Sequence, residues 1–184
     1  DIRKKKGILA GMQNALLRRG PDQEGMFVTE PQCIMAHRRL AVIDVEHGRQ
    51  PMTRSHNGET YTIVYNGELY NTDELRQELM SLGAVFETNC DTEAVLQGYI
   101  YWGEECVSKF NGIFAFAVWE HKKERLWLAR DRMGVKPLFY AETEDGFTFA
   151  SDINSLLQNP DVPREIDLTG LSELILMMPG RTPG

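Results

Sequence analysis

Four short stretches of the sequence carry polar and charged side chains that the neighbouring apolar segments do not need for packing. The first is Arg-Gly-Pro-Asp at 19–22, which is typical of a turn after a helix. The second, at 37–44, places arginines before an apolar run. One of them, Arg39, could form a bidentate pair with a carboxylate, and an exposed or structurally paired arginine is the open alternative.

The third stretch places Asn66 and Gly67 directly after a β-rich run. Asn-Gly is the strongest short signal for a hairpin turn, and spacing alone favours that interpretation. The functional alternative is that an Asn amide and a Gly backbone N–H form two converging donors, the arrangement that stabilises an oxyanion.

The fourth stretch lies at the start of a predicted helix and contains Cys90 and Asp91. A plain N-cap is the structural interpretation of Asp91, and an acceptor for an ammonium group is the functional one. No base is adjacent in sequence to activate Cys90, so the sequence predicts a passive thiol there.

The elements that must position these stretches follow from hydrophobic periodicity. Helices are predicted at 4–18, after a capping box formed by Asn71 and Glu74 with Gly83 as the C-cap, from Asp91 or Thr92, and from Asp167 or Thr169 as far as Met178. Strands are predicted at 26–28, 33–35, 40–43, 61–65 and 84–87, with a polar loop at 48–58.

Four later apolar runs, at 113–119, 126–129, 138–141 and 147–150, are separated by connections too short for a parallel crossover, which predicts an antiparallel meander. The first run is apolar on both faces, as in sheets that are covered on both sides. The expected architecture is therefore α+β: one domain over 1–184, built as a four-layer α-β-β-α sandwich with two antiparallel sheets.

Composition narrows the function classes. The chain has 184 residues, 42% of them hydrophobic, and a formal net charge of −7, which has the wrong sign for binding nucleic acid or an anionic membrane by charge. No apolar run approaches the ~18 residues of a membrane span, and no signal peptide opens the chain. Three dispersed cysteines and four unclustered histidines indicate no metal site. The sequence predicts a soluble, cytoplasmic protein.

In their order and spacing, the four stretches together resemble the glutamine-hydrolysing domain of glutamine-dependent asparagine synthetases. These are class II glutamine amidotransferases of the N-terminal-nucleophile (Ntn) hydrolase superfamily. The resemblance covers nearly the whole chain and rests on matching segments at 18–22, 39–44, 66–71, 91–93, 112–116, 129–140 and 149–151. The segments at 39–44 and around Lys136 indicate the asparagine synthetase branch in particular.

The resemblance implies a role for each matching residue. Arg39 would bind the α-carboxylate of L-glutamine, and the backbone at Leu40, Val42 and Ile43 would line the pocket. The side chain of Asn66 and the backbone N–H of Gly67 would form the oxyanion hole. Glu68 would lie beside the amino end of the substrate, and Asp91 would accept its α-ammonium. Structural roles are expected for Arg130, Asp131 and Lys136.

The resemblance also implies the mechanism and the partners. An N-terminal cysteine thiolate would attack the carboxamide, with its own α-amino group as base, and water would hydrolyse the thioester to glutamate. The released ammonia would pass to a C-terminal synthetase domain of the same chain, where ATP and Mg would serve to make asparagine from aspartate. No metal or cofactor is expected in the glutaminase domain itself, and a homodimer is compatible with the resemblance.

One departure from the family pattern stands at the first residue, which is Asp1 rather than Cys. We expect that the first strand, with its nucleophilic cysteine, precedes this sequence, that the fragment alone is inactive, and that its last residues lead toward the synthetase domain. Two alternatives remain open. The chain could be a folding or interaction module without a nucleophile, or a glutaminase that serves another carboxylate-amidating synthetase.

Overall fold

The computed structural model describes residues 2–29, 31–41, 44, 47–144 and 146–176. The helices are α1 (Ile2–Ala15), α2 (Thr72–Ser81), α3 (Asp91–Trp102), α4 (Cys106–Lys109), α5 (Ile153–Leu156) and α6 (Leu168–Ile175), with a 3-10 turn at Gly103–Glu105. The strands are β1 (Gln23–Thr29), β2 (Cys33–Arg39), β3 (Met52–His56), β4 (Glu59–Leu69), β5 (Gly112–Glu120), β6 (Arg125–Arg130), β7 (Phe139–Thr143) and β8 (Gly146–Ala150).

A central antiparallel sheet, in the order β3-β4-β5-β6, organises the domain. Its β4 and β5 pair along nine residues, with Gly67 opposite Phe114. Alternation along β5 sends Phe114 and Phe116 to one face, where they pack against the helices α3 and α4, and Ala117 and Trp119 to the other. Both faces of this sheet are therefore covered, as the apolar pattern predicts.

The second β layer lies on the Trp119 face and consists of two hairpins, β1–β2 and β7–β8. Beyond them α1 and α5 close the outside through a small cluster that includes Met12 and Leu156. The predicted α+β class with antiparallel sheets between helices is confirmed. The predicted continuous meander is wrong, because in the described part of the chain β6 pairs only with β5, and β7 pairs with β8 in a separate hairpin.

Two strand predictions are also wrong. Leu40 and Ala41 lie after the end of β2, while Val42 and Ile43 lie outside the described residues. Residues 84–87 are irregular, since the backbone N–H of Glu87 donates to a buried carboxylate on α3 instead of to a neighbouring strand. Conversely, the predicted loop at 48–58 contains β3, which pairs with β4.

Three helix starts differ in their capping. Asn71 precedes α2 without a side-chain cap; its amide group instead pairs with Lys109 O and Asn111 N, so the predicted capping box is wrong. Asp91 is the first helical residue of α3 and Cys90 is its N-cap. Asp167 does cap α6, as predicted, by accepting from two backbone N–H groups, and Met178 lies outside the described residues.

Glycine is the predicted stop for α2, and Gly83 directly after its C-cap has a φ of +97°, a conformation that glycine adopts without strain. None of the helices in the described part of the chain is long and apolar enough to cross a membrane.

Candidate active site

A cavity of about 850 Å³ lies between the central sheet and the two hairpins. It brings together six of the eight residues that the sequence assigns to the site: Arg39, Leu40, Asn66, Gly67, Glu68 and Asp91. The other two, Val42 and Ile43, lie outside the described residues. Five of the six come from β2, β4 and α3, and Leu40 directly follows β2, so the grouping depends on the fold and not on sequence proximity.

Arg39 ends β2 and is 9% exposed. Its guanidinium donates to Gln23 Oε1 at 2.8 Å and to the backbone oxygen of Asp44 at 3.1 Å. These two acceptors help to fix the orientation of the guanidinium. Gly48 closes the other side, where a Cβ would collide with the guanidinium. The result is an oriented cation at the cavity wall.

The loop after Arg39 is tied to the start of α3 through Asp44. The Asp44 carboxylate accepts from the backbone N–H of Asn89 at 2.9 Å and of His47 at 3.2 Å. The hydrogen bond from Asn89 N–H holds the pKa of Asp44 below its usual value, so the tie is present at neutral pH. The Asp44–Asn89 hydrogen bond therefore links the loop after Arg39 to the segment that precedes Asp91.

Asn66 and Gly67 lie inside β4, so the hairpin-turn interpretation is wrong. The strand continues because both residues pair in register with β5. A Cβ on Gly67 would lie 2.6 Å from Ile113 O and 2.7 Å from the Tyr65 hydroxyl oxygen, so no larger residue fits without backbone movement.

Strand geometry also sets the direction of the Gly67 N–H. Tyr65 N–H donates to the Gln50 side chain at 2.6 Å and Leu69 N–H points to Asp91 at 3.4 Å, both on the edge of β4 that β5 does not occupy. Since alternate N–H groups of a strand point the same way, the Gly67 N–H faces that edge too. The side chains of Asn66 and Val64 are two positions apart, so they lie on the same face of the sheet. Val64 packs against residues of the β1–β2 hairpin, and the Asn66 side chain therefore lies on the hairpin side of β4.

Asp91 stands at the first position of α3, where its carboxylate accepts from the Tyr65 hydroxyl at 2.9 Å. Burial raises the pKa of Asp91, and the Tyr65 hydrogen bond opposes that rise. Within the described residues no lysine, arginine or histidine forms an ion pair with this carboxylate. An anionic group in this state can accept an ammonium from a ligand.

Glu93 lies in the matching segment at 91–93, but the sequence assigned it no role. Its carboxylate is fully buried and accepts from Thr88 N–H and the Thr88 hydroxyl, each at 2.7 Å, from Glu87 N–H at 3.0 Å and from Arg54 Nε at 2.7 Å. These bonds fix the loop that leads into Asp91. The sequence signal for this role was a charged residue, the third of Asp-Thr-Glu, on the apolar face of a predicted helix, where a carboxylate needs internal partners.

The three cysteines are all buried. Burial raises the pKa of Cys33 and of Cys106 to about 12, which keeps both as protonated thiols at neutral pH. The Cys90 sulfur lies 2.9 Å from the Thr88 hydroxyl oxygen. Over the described residues, no group of three or more potential metal ligands comes together.

The segment at 130–136 forms the polar network that the sequence suggests. Asp131 is buried and accepts from the backbone N–H groups of Phe114, Val135 and Lys136. Burial raises its pKa, but these hydrogen bonds outweigh burial and hold the pKa below its usual value. Arg130 donates to the Lys136 and Gly134 oxygens, which closes the loop on itself.

Comparison with known families gives a match to the model of the glutamine amidotransferase domain over residues 1–183. The chain belongs to the glutamine amidotransferase domain family. It is 50% identical over 179 residues to glutamine-hydrolysing asparagine synthetase 3 of Bacillus subtilis, covering 97% of this chain and 29% of that protein. It is also 38% identical over 156 residues to a putative glutamine-hydrolysing asparagine synthetase of Mycobacterium tuberculosis, covering 81% of this chain and 24% of that protein.

This amidotransferase domain thus spans less than a third of the length of these asparagine synthetases. Among solved structures, glutamine phosphoribosylpyrophosphate amidotransferase from Bacillus subtilis superposes with a TM-score of 0.68 at 21% identity, covering 81% of this chain and 40% of that one. An allosteric regulatory enzyme of purine biosynthesis gives a TM-score of 0.58 at 25% identity, covering 68% of this chain and 29% of that one. The shared architecture is that of the Ntn-hydrolase amidotransferases.

Proposed function

We propose that this domain hydrolyses L-glutamine to glutamate and ammonia. One observation carries the proposal: a single cavity is lined by an oriented cation, Arg39, and by a carboxylate without a cationic partner among the described residues, Asp91. A free α-amino acid carries one carboxylate and one ammonium, and it is held in a fixed orientation by one protein charge for each.

The carboxamide end of glutamine would then lie along β4. The Gly67 N–H and the Asn66 amide provide neutral donors for the oxygen that becomes negative as the tetrahedral intermediate forms. Leu40, Val42 and Ile43 are proposed to line the pocket beside Arg39, and Glu68 to lie beside the substrate ammonium. Glu68 is exposed and is among the residues that line the cavity, which supports this proposal.

We further propose that the nucleophile is an N-terminal cysteine on a strand lying between β2 and β8, both of which line the cavity. Trp119 supports this: it is 4% exposed and lines the same cavity, and its indole N–H has no acceptor among the described residues. The backbone oxygens of an inserted strand would supply one. The raised thiol pKa of Cys33, the cysteine that lines the cavity, disfavours it as the alternative.

The proposed destination of the ammonia is an ATP-dependent domain of the same polypeptide, which would amidate aspartate to asparagine with Mg. Support comes from the relatives, whose names are those of glutamine-hydrolysing asparagine synthetases and whose chains are more than three times as long as this domain. A cytoplasmic location and a homodimer are further proposals for the full natural chain.

The test uses the full natural chain. Glutamate release from glutamine is measured together with the sequence of the mature N-terminus, and we expect hydrolysis by a chain that begins with cysteine. Such a chain without hydrolysis would contradict the proposal and favour a folding or interaction module. Hydrolysis without asparagine formation from aspartate and ATP would instead indicate another carboxylate acceptor.

A variant separates the role of Arg39 from a general effect on folding. Arg39→Ala should raise KM for glutamine by roughly 100-fold, with a smaller change in kcat, because the carboxylate contact exists in ground and transition states alike. Arg164→Ala removes an exposed arginine that donates a hydrogen bond to Leu157 O, outside the cavity lining, and it should change neither constant. An unchanged KM in Arg39→Ala would refute the assignment.

A further inference from the structure

Tyr65 connects two parts of the site that the sequence treats as independent. Its backbone precedes the Asn66-Gly67 pair, and its side chain points to the opposite sheet face, toward α3. There the hydroxyl donates to Asp91 Oδ2 at 2.9 Å. The same ring underlies Gly67, whose added Cβ would lie 2.7 Å from the Tyr65 ring carbon that bears the hydroxyl. One side chain therefore contacts both the carboxylate and the strand segment with the proposed oxyanion donor.

The backbone of Tyr65 is itself fixed by three hydrogen bonds, two to Gln50 and one to His37. Gln50 accepts from its N–H at 2.6 Å and donates to its oxygen at 3.1 Å, which is the pairing that a neighbouring strand would make. The Gln50 amide also donates to Thr92 at 3.1 Å. His37 Nε2 lies 3.0 Å from the same Tyr65 oxygen, and burial lowers the pKa of His37 to about 4, so its neutral ring donates there at pH 7.

Fixation on this scale leaves the Tyr65 ring little freedom, since the residue is 4% exposed and its backbone cannot shift without breaking these bonds. The hydroxyl therefore stands at a defined point beside Asp91. A phenol donates one hydrogen bond, so it orients the carboxylate and uses one acceptor site while leaving the carboxylate charge in place. Backbone N–H groups, Leu69 N–H at 3.4 Å among them, also donate to this carboxylate. No lysine, arginine or histidine among the described residues forms an ion pair with it, so its charge is available to a ligand ammonium.

We propose that Tyr65 is a positioning residue that holds Asp91 in the orientation that accepts the α-ammonium of glutamine. The inference rests on the proposed function, because it assigns the Tyr65–Asp91 pair to the amino end of that substrate. It gives Tyr65 a role in recognising the α-amino group, separate from its packing in the core beneath β4.

A comparison of two ligands tests this role. Glutaramate is glutamine without the α-ammonium group, so it can contact Arg39 and the oxyanion donors but makes no charged contact with Asp91. Tyr65→Phe keeps the ring beneath Gly67 and removes only the hydroxyl. We expect KM for glutamine to rise about 5- to 10-fold with kcat within about twofold, while the inhibition constant of glutaramate stays unchanged.

Tyr99→Phe is the matched control, because Tyr99 is also buried and also donates to a carboxylate, Glu120, outside the cavity lining. It should leave both ligand constants unchanged. Equal weakening of glutamine and glutaramate in Tyr65→Phe, or no weakening of either, would overturn the inference.

Calorimetry of glutamine binding to the full natural chain distinguishes a failure of the Tyr65 role from a failure of the proposed function. A wild-type protein that neither binds nor hydrolyses glutamine overturns both. A wild-type protein that hydrolyses glutamine, with a Tyr65→Phe variant that does not discriminate the two ligands, overturns the role of Tyr65 alone.

Discussion

Asp91 begins α3 and Glu120 ends β5, and each carboxylate accepts a hydrogen bond from a tyrosine hydroxyl, Tyr65 at 2.9 Å and Tyr99 at 2.6 Å. Their other partners differ. Glu120 also contacts Arg125 and Lys123, whereas Asp91 has no cationic partner among the described residues.

The difference appears as opposite shifts in pKa. Burial raises the pKa of Asp91 and its hydrogen bonds do not compensate. Burial also raises the pKa of Glu120, but hydrogen bonds from Lys123, Tyr99 and Arg125 outweigh it and hold that pKa below its usual value. A charge neutralised within the fold serves stability, while one left without a cation inside a cavity is available to a ligand. The comparison separates a structural cluster from a binding site.

The largest effect is expected on the cavity side. Asp91→Asn keeps the size of the side chain and removes its charge, so the ammonium loses its counter-ion. We expect kcat/KM for glutamine to fall by about 10²-fold to 10³-fold, or roughly 3–4 kcal/mol. The free energy of unfolding should change by less than about 1 kcal/mol, because no internal ion pair is broken. Steady-state kinetics measures the fall in kcat/KM, and urea unfolding measures the change in the free energy of unfolding.

Glu120→Gln should show the reverse pattern. Removing the charge leaves Arg125 and Lys123 beside a neutral amide, and we expect a loss of about 2–3 kcal/mol in the free energy of unfolding; Arg125 is partly exposed, so the loss stays below the full cost of a buried pair. Kinetic constants for glutamine should stay within about twofold of wild type. A large kinetic defect here would erase the distinction between the two carboxylates.

The stabilities of Asp91→Asn and Glu120→Gln, each relative to wild type, should change with pH in opposite directions. Folding raises the pKa of Asp91 above its usual 3.8, so the folded state binds the extra proton and stability falls as pH rises through the raised value. Asp91→Asn is therefore expected to gain stability relative to wild type as pH increases.

For Glu120, folding lowers the pKa below its usual 4.5, so its contribution is present above that pH and is lost as pH falls through the folded value. The deficit of Glu120→Gln should be full at pH 7 and shrink below about 4.5. Urea unfolding between pH 3.5 and 7.5 would measure both trends, and parallel curves for the two variants would contradict the assigned pKa directions.

The cavity side of this comparison was partly accessible from sequence. Local patterns predict the helices that carry Asp91 and Leu75, the strand that carries Phe116 and the first half of β2, because helical period and β-branched runs are properties of short segments. The motif resemblance predicts that Arg39, Asn66, Gly67 and Asp91 belong to one pocket, and the cavity groups them. Their roles stay predictions.

What the sequence did not predict depends on partners that are distant in the chain. The run Met-Thr-Arg-Ser-His becomes β3 only because β4 pairs with it, and Asn-Gly stays extended because β5 pairs with both residues. The Asn71 side chain does not cap α2, because it hydrogen-bonds to Lys109 O and Asn111 N–H instead. Glu93 is neutralised by Arg54, 39 positions away, and Tyr65 meets Asp91 across 26 positions. No local pattern encodes such pairs.

The smallest effect is expected at the exposed edge of the structural cluster. Lys123 contacts Glu120 at 2.6 Å, but its side chain is 59% exposed, so solvent screens the pair and an ordered lysine loses rotamer entropy. Lys123→Gln should lower the melting temperature by no more than about 2 °C, with no effect on glutamine kinetics. Thermal unfolding at low and high salt measures it, and the difference from wild type should shrink at high salt. A shift as large as that of Glu120→Gln would mean that Lys123 and not Arg125 is the cation that keeps Glu120 charged.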